Sequence, residues 1–131
     1  MARCIPVGIY TTNNKETCDY IAKHSEAKIV LAENRDYAAK YLHLLDEGVI
    51  KLIVVYRDDE YKPAGYDGKV ISYKRFIADG SRIDERVIEH RIEKVKPGNC
   101  CTLVYTSGTT GMPKGVMLSH DNYTWTMKSL D

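Results

Sequence analysis

Hydrophobic and polar positions follow two rhythms along this chain. Val7 to Tyr10 is a short β-branched and aromatic run, and the polar Thr11-Thr12-Asn13-Asn14 that follows can cap a helix. From Lys15 to Ala27 the less polar Cys18, Ile21, Ala22 and Ser25 recur three and four positions apart, which predicts one apolar stripe on a helix beginning near Asn14. Lys28 to Ala32 is a continuous apolar run of strand length, the kind a parallel sheet buries on both faces. Asn34 then offers a cap for a second helix, with Ala38, Tyr41, Leu42 and Leu45 on one face and Gly48 ending it. Leu52 to Tyr56 is another buried-strand run.

The next stretch, Arg57 to Gly68, is charged and carries Pro63, Gly65 and Gly68, so it reads as a surface loop. Val70-Ile71-Ser72 is a weak strand whose Ser72 can cap a short helix through Phe76 and Ile77. A stronger helix is expected from Asp84 to Lys96, with Ile83, Val87, Ile88, Ile92 and Val95 as its apolar stripe and Pro97-Gly98-Asn99 as its stop. Its acidic start and basic end suit the helix dipole. Cys101 to Tyr105 and Gly115 to Leu118 read as strands around a Thr/Ser/Gly loop. Ser119 can cap a last helix through Tyr123, Trp125 and Leu130.

Alternating strands and helices predict the α/β class: a layered α/β domain on a mostly parallel sheet, with right-handed crossovers between parallel strands. Residues 1–56 form a βαβαβ segment, 57–99 a loop plus helices, and 100–131 a strand, loop, strand and helix. The chain starts almost on a strand and stops about three turns into a helical pattern. The expectation is therefore a fragment of a larger domain.

Composition changes this picture little. With 44% apolar and 28% charged residues among 131, the chain is ordinary for a folded protein and far from the disordered extreme. Its 19 Lys and Arg against 18 Asp and Glu leave a net charge of +1, which supplies no general attraction to nucleic acid. The longest aliphatic run is far shorter than the roughly 20 residues needed to span a bilayer. Cys4, Cys18, Cys100 and Cys101 lack the spacing of zinc or redox pairs and are expected as free, partly buried thiols. His24, His43, His90 and His120 are scattered, with none at metal spacing. His120 falls in the first turn of the last helix, where it could either line a substrate cavity or support the cap.

Chemistry concentrates between the two late strands. Thr106, Ser107, Gly108, Thr109, Thr110, Gly111, Met112, Pro113 and Lys114 combine two glycines, four hydroxyls and one cation. Glycines let successive N–H groups turn into one concavity, an anion nest. The hydroxyls add donors, and Pro113 stiffens the arm of Lys114. The pattern G-x-x-x-x-G-K-[ST] fails because position 113 is Pro, and G-x-G-x-x-G fails because position 110 is Thr. A solvated Ser/Thr-rich turn remains the plain alternative from composition alone.

The order of residues from Thr106 to Val116 resembles the phosphate-binding signature of the adenylate-forming superfamily: acyl-CoA synthetases, luciferases and peptide synthetase adenylation domains. Pro6 to Asn13, the lead-in Cys100 to Tyr105, and Met117 to Asn122 are similar to the bubblegum group of long-chain fatty acyl-CoA synthetases. The likeness spans nearly the whole chain and is least diagnostic from Tyr56 to Gly80.

The resemblance implies a partial N-terminal AMP-binding domain over residues 1–131, belonging to an ATP-dependent long-chain fatty acid-CoA ligase. It implies an acyl-adenylate and then an acyl-CoA, with ATP, Mg2+ and CoA required. Thr106 to Lys114 would wrap the β- and γ-phosphates, with Lys114 offsetting charge on the departing pyrophosphate. The family's adenine-pocket motif, ribose-binding Asp and catalytic Lys have no counterpart here, so no catalytic residue and no metal ligand is expected within the segment. The segment alone is expected to be inactive, its partners being ATP, a long-chain fatty acid and the rest of the parent chain, including the C-terminal domain. The implied location is cytoplasmic, with peripheral association with the endoplasmic reticulum. Another adenylate-forming enzyme, or a non-catalytic phosphate- or partner-binding module, is the competing reading.

Overall fold

The computed structural model describes residues 3–106 and 111–130. It shows an α/β protein whose elements follow in the order β1 (Val7–Gly8), α1 (Lys15–His24), β2 (Ile29–Ala32), α2 (Arg35–Ala39), α3 (Leu42–Asp46), β3 (Leu52–Val55), β4 (Val70–Ser72), α4 (Tyr73–Gly80), α5 (Glu85–Glu93), β5 (Cys100–Thr106), β6 (Lys114–Ser119) and α6 (His120–Lys128). The chain divides into two compact units, one made of Thr11–Ile83 and the other of Met1–Tyr10 with Asp84–Asp131.

The Thr11–Ile83 unit is built on a parallel sheet in the order β2-β3-β4. β3 lies in the middle, and its Ile53, Val54 and Val55 are fully buried. β2 was expected to be buried on both faces, but it is an edge strand. Val30 and Ala32 turn inward while Ile29 and Leu31 stay exposed, the alternation of a half-covered strand. α1 opens as its sequence predicts: the Asn14 side chain accepts from the Thr17 amide at 2.9 Å, and Cys18, Ile21 and Ala22 form the buried stripe.

The single helix expected after Asn34 is broken in two. Asn34 caps α2 by accepting from the amides of Asp36 and Tyr37, but α2 ends at Ala39 and a new helix starts after Tyr41. Ala38, Tyr41 and Leu45 of the expected face are buried, and with the break Leu44 is buried in place of Leu42. Two contacts with residues distant in sequence accompany it. Lys40 Nζ donates to the Asn13 carbonyl at 2.9 Å, and Tyr41 is buried to 6% exposure, where desolvation and then a hydrogen bond with Cys18 push its hydroxyl far above the usual phenol range. Gly48 leaves the helix at φ +71, a conformation that other residues adopt with difficulty.

The second unit holds a three-stranded sheet in the order β1-β5-β6. The strands of residues 1–56 therefore do not share one sheet. β1 runs parallel to β5, with Val7 opposite Leu103, and the Pro6 carbonyl accepts from the Leu103 amide at 3.0 Å and from Thr102 Oγ1 at 2.8 Å. β5 and β6 are antiparallel, with an irregularity between Cys100 and Thr102. α6 begins with a capping box: Ser119 Oγ accepts from the Asn122 amide, and Asn122 Oδ1 accepts from the Ser119 amide at 2.8 Å. α5 is capped by Asp84, whose carboxyl is held below its usual range by the Arg86 side chain.

The stripe predicted on α5 exists but is uncovered. Ile83, Val87, Ile88 and Ile92 are all exposed, as are Tyr123 and Trp125 on α6. The cysteines are free, with Cys18 buried, Cys100 and Cys101 partly buried and Cys4 exposed. Among the described residues no helix is long and apolar enough to cross a membrane, and no cluster of three or more His, Cys, Asp or Glu could hold a metal ion.

Candidate functional site

β5 and β6 form the frame of the candidate site. Their ladder runs Leu103 to Met117, Val104 to Val116, Tyr105 to Gly115 and Thr106 to Lys114. The Thr/Ser/Gly segment is thus the connection between two antiparallel strands, and its predicted first and last binding residues are the final paired residues of the frame. Successive strand side chains alternate between faces. Thr106 and Lys114 therefore share the face of Val104 and Val116, and Tyr105 and Gly115 take the other.

Thr106 and Lys114 are both exposed, and no ion pair to Lys114 is present among the described residues. Lys114 stands at one root of the loop and Thr106, its partner in the ladder, at the other. Gly111 has φ +105, and nothing stands within 4 Å of where a Cβ would be. Its backbone conformation, and not crowding, calls for glycine there. Met112 is exposed and Pro113 half-buried. Ser107, Gly108, Thr109 and Thr110, the remaining residues of the expected nest, lie outside the described residues.

These features fit a phosphate group. A lysine with no ion pair among the described residues, a hydroxyl on the paired strand and a glycine turn can each address one oxygen of a polyanion. The described part of the loop offers no carboxylate. Groups with shifted acidity lie in other elements, including Glu47, lowered by its hydrogen bond to Lys23, and Asp58, lowered by Arg35.

His120 starts α6 as expected. With Arg3, Cys4, Ile5, Val95, Asn99 and Cys100 it lines an open cavity of about 230 Å³. Its backbone amide donates to the Asn99 carbonyl at 3.1 Å, which ties the helix start to the turn before β5.

The sequence placed Tyr105 and Gly115 on the two strands and within the resembling segments, but gave neither a part in the site. Among the described residues of its unit, Tyr105 is the one buried apolar side chain, at 5% exposure. Its ring lies across Gly115: a Cβ there would meet Tyr105 Cζ at 3.1 Å, Oη at 3.3 Å and Cε1 at 3.4 Å. The available signal was a glycine inside a strand pattern, which marks close approach by a neighbour.

The arrangement of elements is shared with a protein of known structure. The anthranilate CoA ligase AuaEII, solved with anthranoyl-AMP, matches 95% of this chain and 22% of its own length with a TM-score of 0.59 at 23% identity. At that identity the likeness is one of fold. The sequence profile of the AMP-binding enzyme family matches residues 1–131, and the chain belongs to that family. Among its relatives, the long-chain-fatty-acid–CoA ligase ACSBG2 of Xenopus laevis is 46% identical over 123 residues, which are 92% of this chain and 16% of the relative. The human ligase ACSBG1 is 38% identical over 125 residues, 95% of this chain and 17% of the relative. The chain spans about one sixth of the length of the curated relatives it matches.

Proposed function

We propose that this chain is the phosphate-binding part of an ATP-dependent long-chain fatty acid–CoA ligase. The reading rests on one observation above others: Thr106 and Lys114 form the closing pair of an antiparallel frame whose connection has the composition of an anion nest. The identity of 38–46% to long-chain-fatty-acid–CoA ligases supports the substrate class.

In that reaction a carboxylate oxygen bonds to the α-phosphorus of ATP and the bond to the β-phosphate bridge breaks, releasing pyrophosphate. The CoA thiol then attacks the acyl carbon and AMP leaves. The residues from Thr106 to Lys114 bind the β- and γ-phosphates: backbone N–H groups and hydroxyls donate to the oxygens, and the Lys114 ammonium stabilises charge that grows as pyrophosphate departs. This is binding and orientation of a leaving group. No residue of the loop acts as nucleophile or base. Magnesium, held through the phosphate oxygens, would spread the same charge. The acyl and CoA sites and the catalytic residues belong to the remaining length of such an enzyme, and the uncovered stripe of α5 supports a role inside a larger protein. The reading carries with it a cytoplasmic enzyme in peripheral contact with the endoplasmic reticulum.

Calorimetric titration with MgATP of the parent protein and of Lys114→Ala tests the assignment. A clear loss of affinity is expected in the variant, and equal affinities would remove the phosphate role of the loop.

A further inference from the structure

Gly115 departs from the other strand glycine, Gly8, in one respect. Gly8 has open space where a Cβ would stand, whereas the same position on Gly115 is filled by the Tyr105 ring. Gly115 has no positive φ, so its backbone does not call for glycine; what sets it apart is the ring, which leaves a Cβ less room than such atoms usually have. A contact of 3.1 Å is closer than a Cβ tolerates without its neighbour giving way, and Tyr105 is buried to 5% exposure. An aromatic ring laid over a cross-strand glycine covers the exposed ladder and fixes the local spacing of the two strands.

The pair next along the ladder is Thr106 and Lys114. We infer that Tyr105 and Gly115 form a clasp that fixes both roots of the phosphate loop, which makes Tyr105 a positioning residue for the leaving group of ATP. The inference rests on the phosphate-loop reading above. Tyr105 acts from the face of the ribbon opposite to Thr106 and Lys114. The clasp sets where Thr106 and Lys114 stand relative to one another, and a methyl group at position 115 would displace the ring or the strand. Either change moves the lysine root.

The test uses the full-length enzyme and four variants: Gly115→Ala, Tyr105→Leu, their combination, and Lys114→Ala. The displacement expected from a methyl at 115 raises the KM for MgATP about tenfold, the scale expected from sub-ångström misplacement of a binding group. The KM for the fatty acid stays unchanged. In the Tyr105→Leu background, adding Gly115→Ala has an effect of less than about twofold, because the clashing ring is gone and the two changes are not additive. Equal increases in both KM values, or full additivity of the two changes, would mean a merely structural contact and would overturn the clasp. Should Gly115→Ala not fold, Tyr105→Leu decides alone by the same contrast between the two KM values. Lys114→Ala separates the two claims. If it leaves the KM for MgATP unchanged, the phosphate-loop reading itself fails; if it raises that KM while the Tyr105 and Gly115 variants do not, only the clasp fails.

Discussion

Thr106 and Lys114 face one another across the last paired rung of β5 and β6, so a hydroxyl and an ammonium stand at the two roots of one loop. They differ in what each can contribute. A hydrogen bond from a charged donor contributes about 1.5–3 kcal/mol and a neutral one about 0.5–1.5 kcal/mol. Lys114→Ala should therefore weaken MgATP binding about tenfold to a hundredfold and Thr106→Val about two- to tenfold. Calorimetry on both variants checks the order, and a larger effect from Thr106→Val would contradict it.

Gly111 and Gly80 predict opposite outcomes for the same substitution. Both have open space where a Cβ would be, but Gly111 has φ +105 and Gly80 lies at the end of α4 with an ordinary φ. Gly111→Ala should cost roughly 1–3 kcal/mol of backbone strain, and Gly80→Ala should be neutral or stabilise by up to about 1 kcal/mol. Urea denaturation of the two variants gives the comparison.

Ile53 sits at 0% exposure on the central strand of its sheet, and Leu44 at 0% on α3. Truncating either to Ala removes buried methyl groups and leaves a cavity, at a cost of about 2–5 kcal/mol. Leu31→Ala, on the exposed face of β2, should cost far less. Denaturation midpoints that fail to separate the first two from the third would count against the described core.

Asp58 accepts from Arg35 Nε at 2.7 Å, and Glu47 from Lys23 Nζ at 2.7 Å. Both carboxyls are held below their usual range, first by these hydrogen bonds. A carboxyl lowered by folding contributes stability above its unfolded pKa, and that contribution is lost as pH falls through the folded pKa. The stability difference between the parent and Asp58→Asn should thus be constant from pH 6 to 8, and it should shrink as pH falls below about 4, the usual carboxylate range. Denaturation across that pH series reads it directly. A difference that changed between pH 6 and 8 would assign the effect to another group.

Much of the fold was legible because capping and periodicity act locally. Asn14, Ser72, Asp84 and Ser119 begin helices where their side chains accept amide hydrogen bonds. What the pattern missed depends on distant partners. One stripe from Ala38 to Leu45 cannot reveal a break made by Lys40 reaching Asn13 and by Tyr41 meeting Cys18. The exposure of Leu31 follows from β2 being an edge strand, which depends on strand order. At the site, residue order pointed to the loop and to Lys114. The tie between Tyr105 and Gly115 needed the register.

The pairing of β1 with β5 also has a bearing on folding order. Val7 meets Leu103 across 96 positions, whereas β2 meets β3 across 23 and β3 meets β4 across 17. Closing a segment of that length costs roughly 4 kcal/mol in chain entropy beyond a constant, and contacts so far apart in sequence form slowly. The parallel sheet of Thr11–Ile83 can assemble from near neighbours while the first strand waits for a partner that leaves the ribosome some ninety residues later. Among the described residues the pairing of β1 with β5 is then completed after the parallel sheet, so a nascent chain acquires one folded body before β5, the strand that carries Thr106, has both of its neighbours.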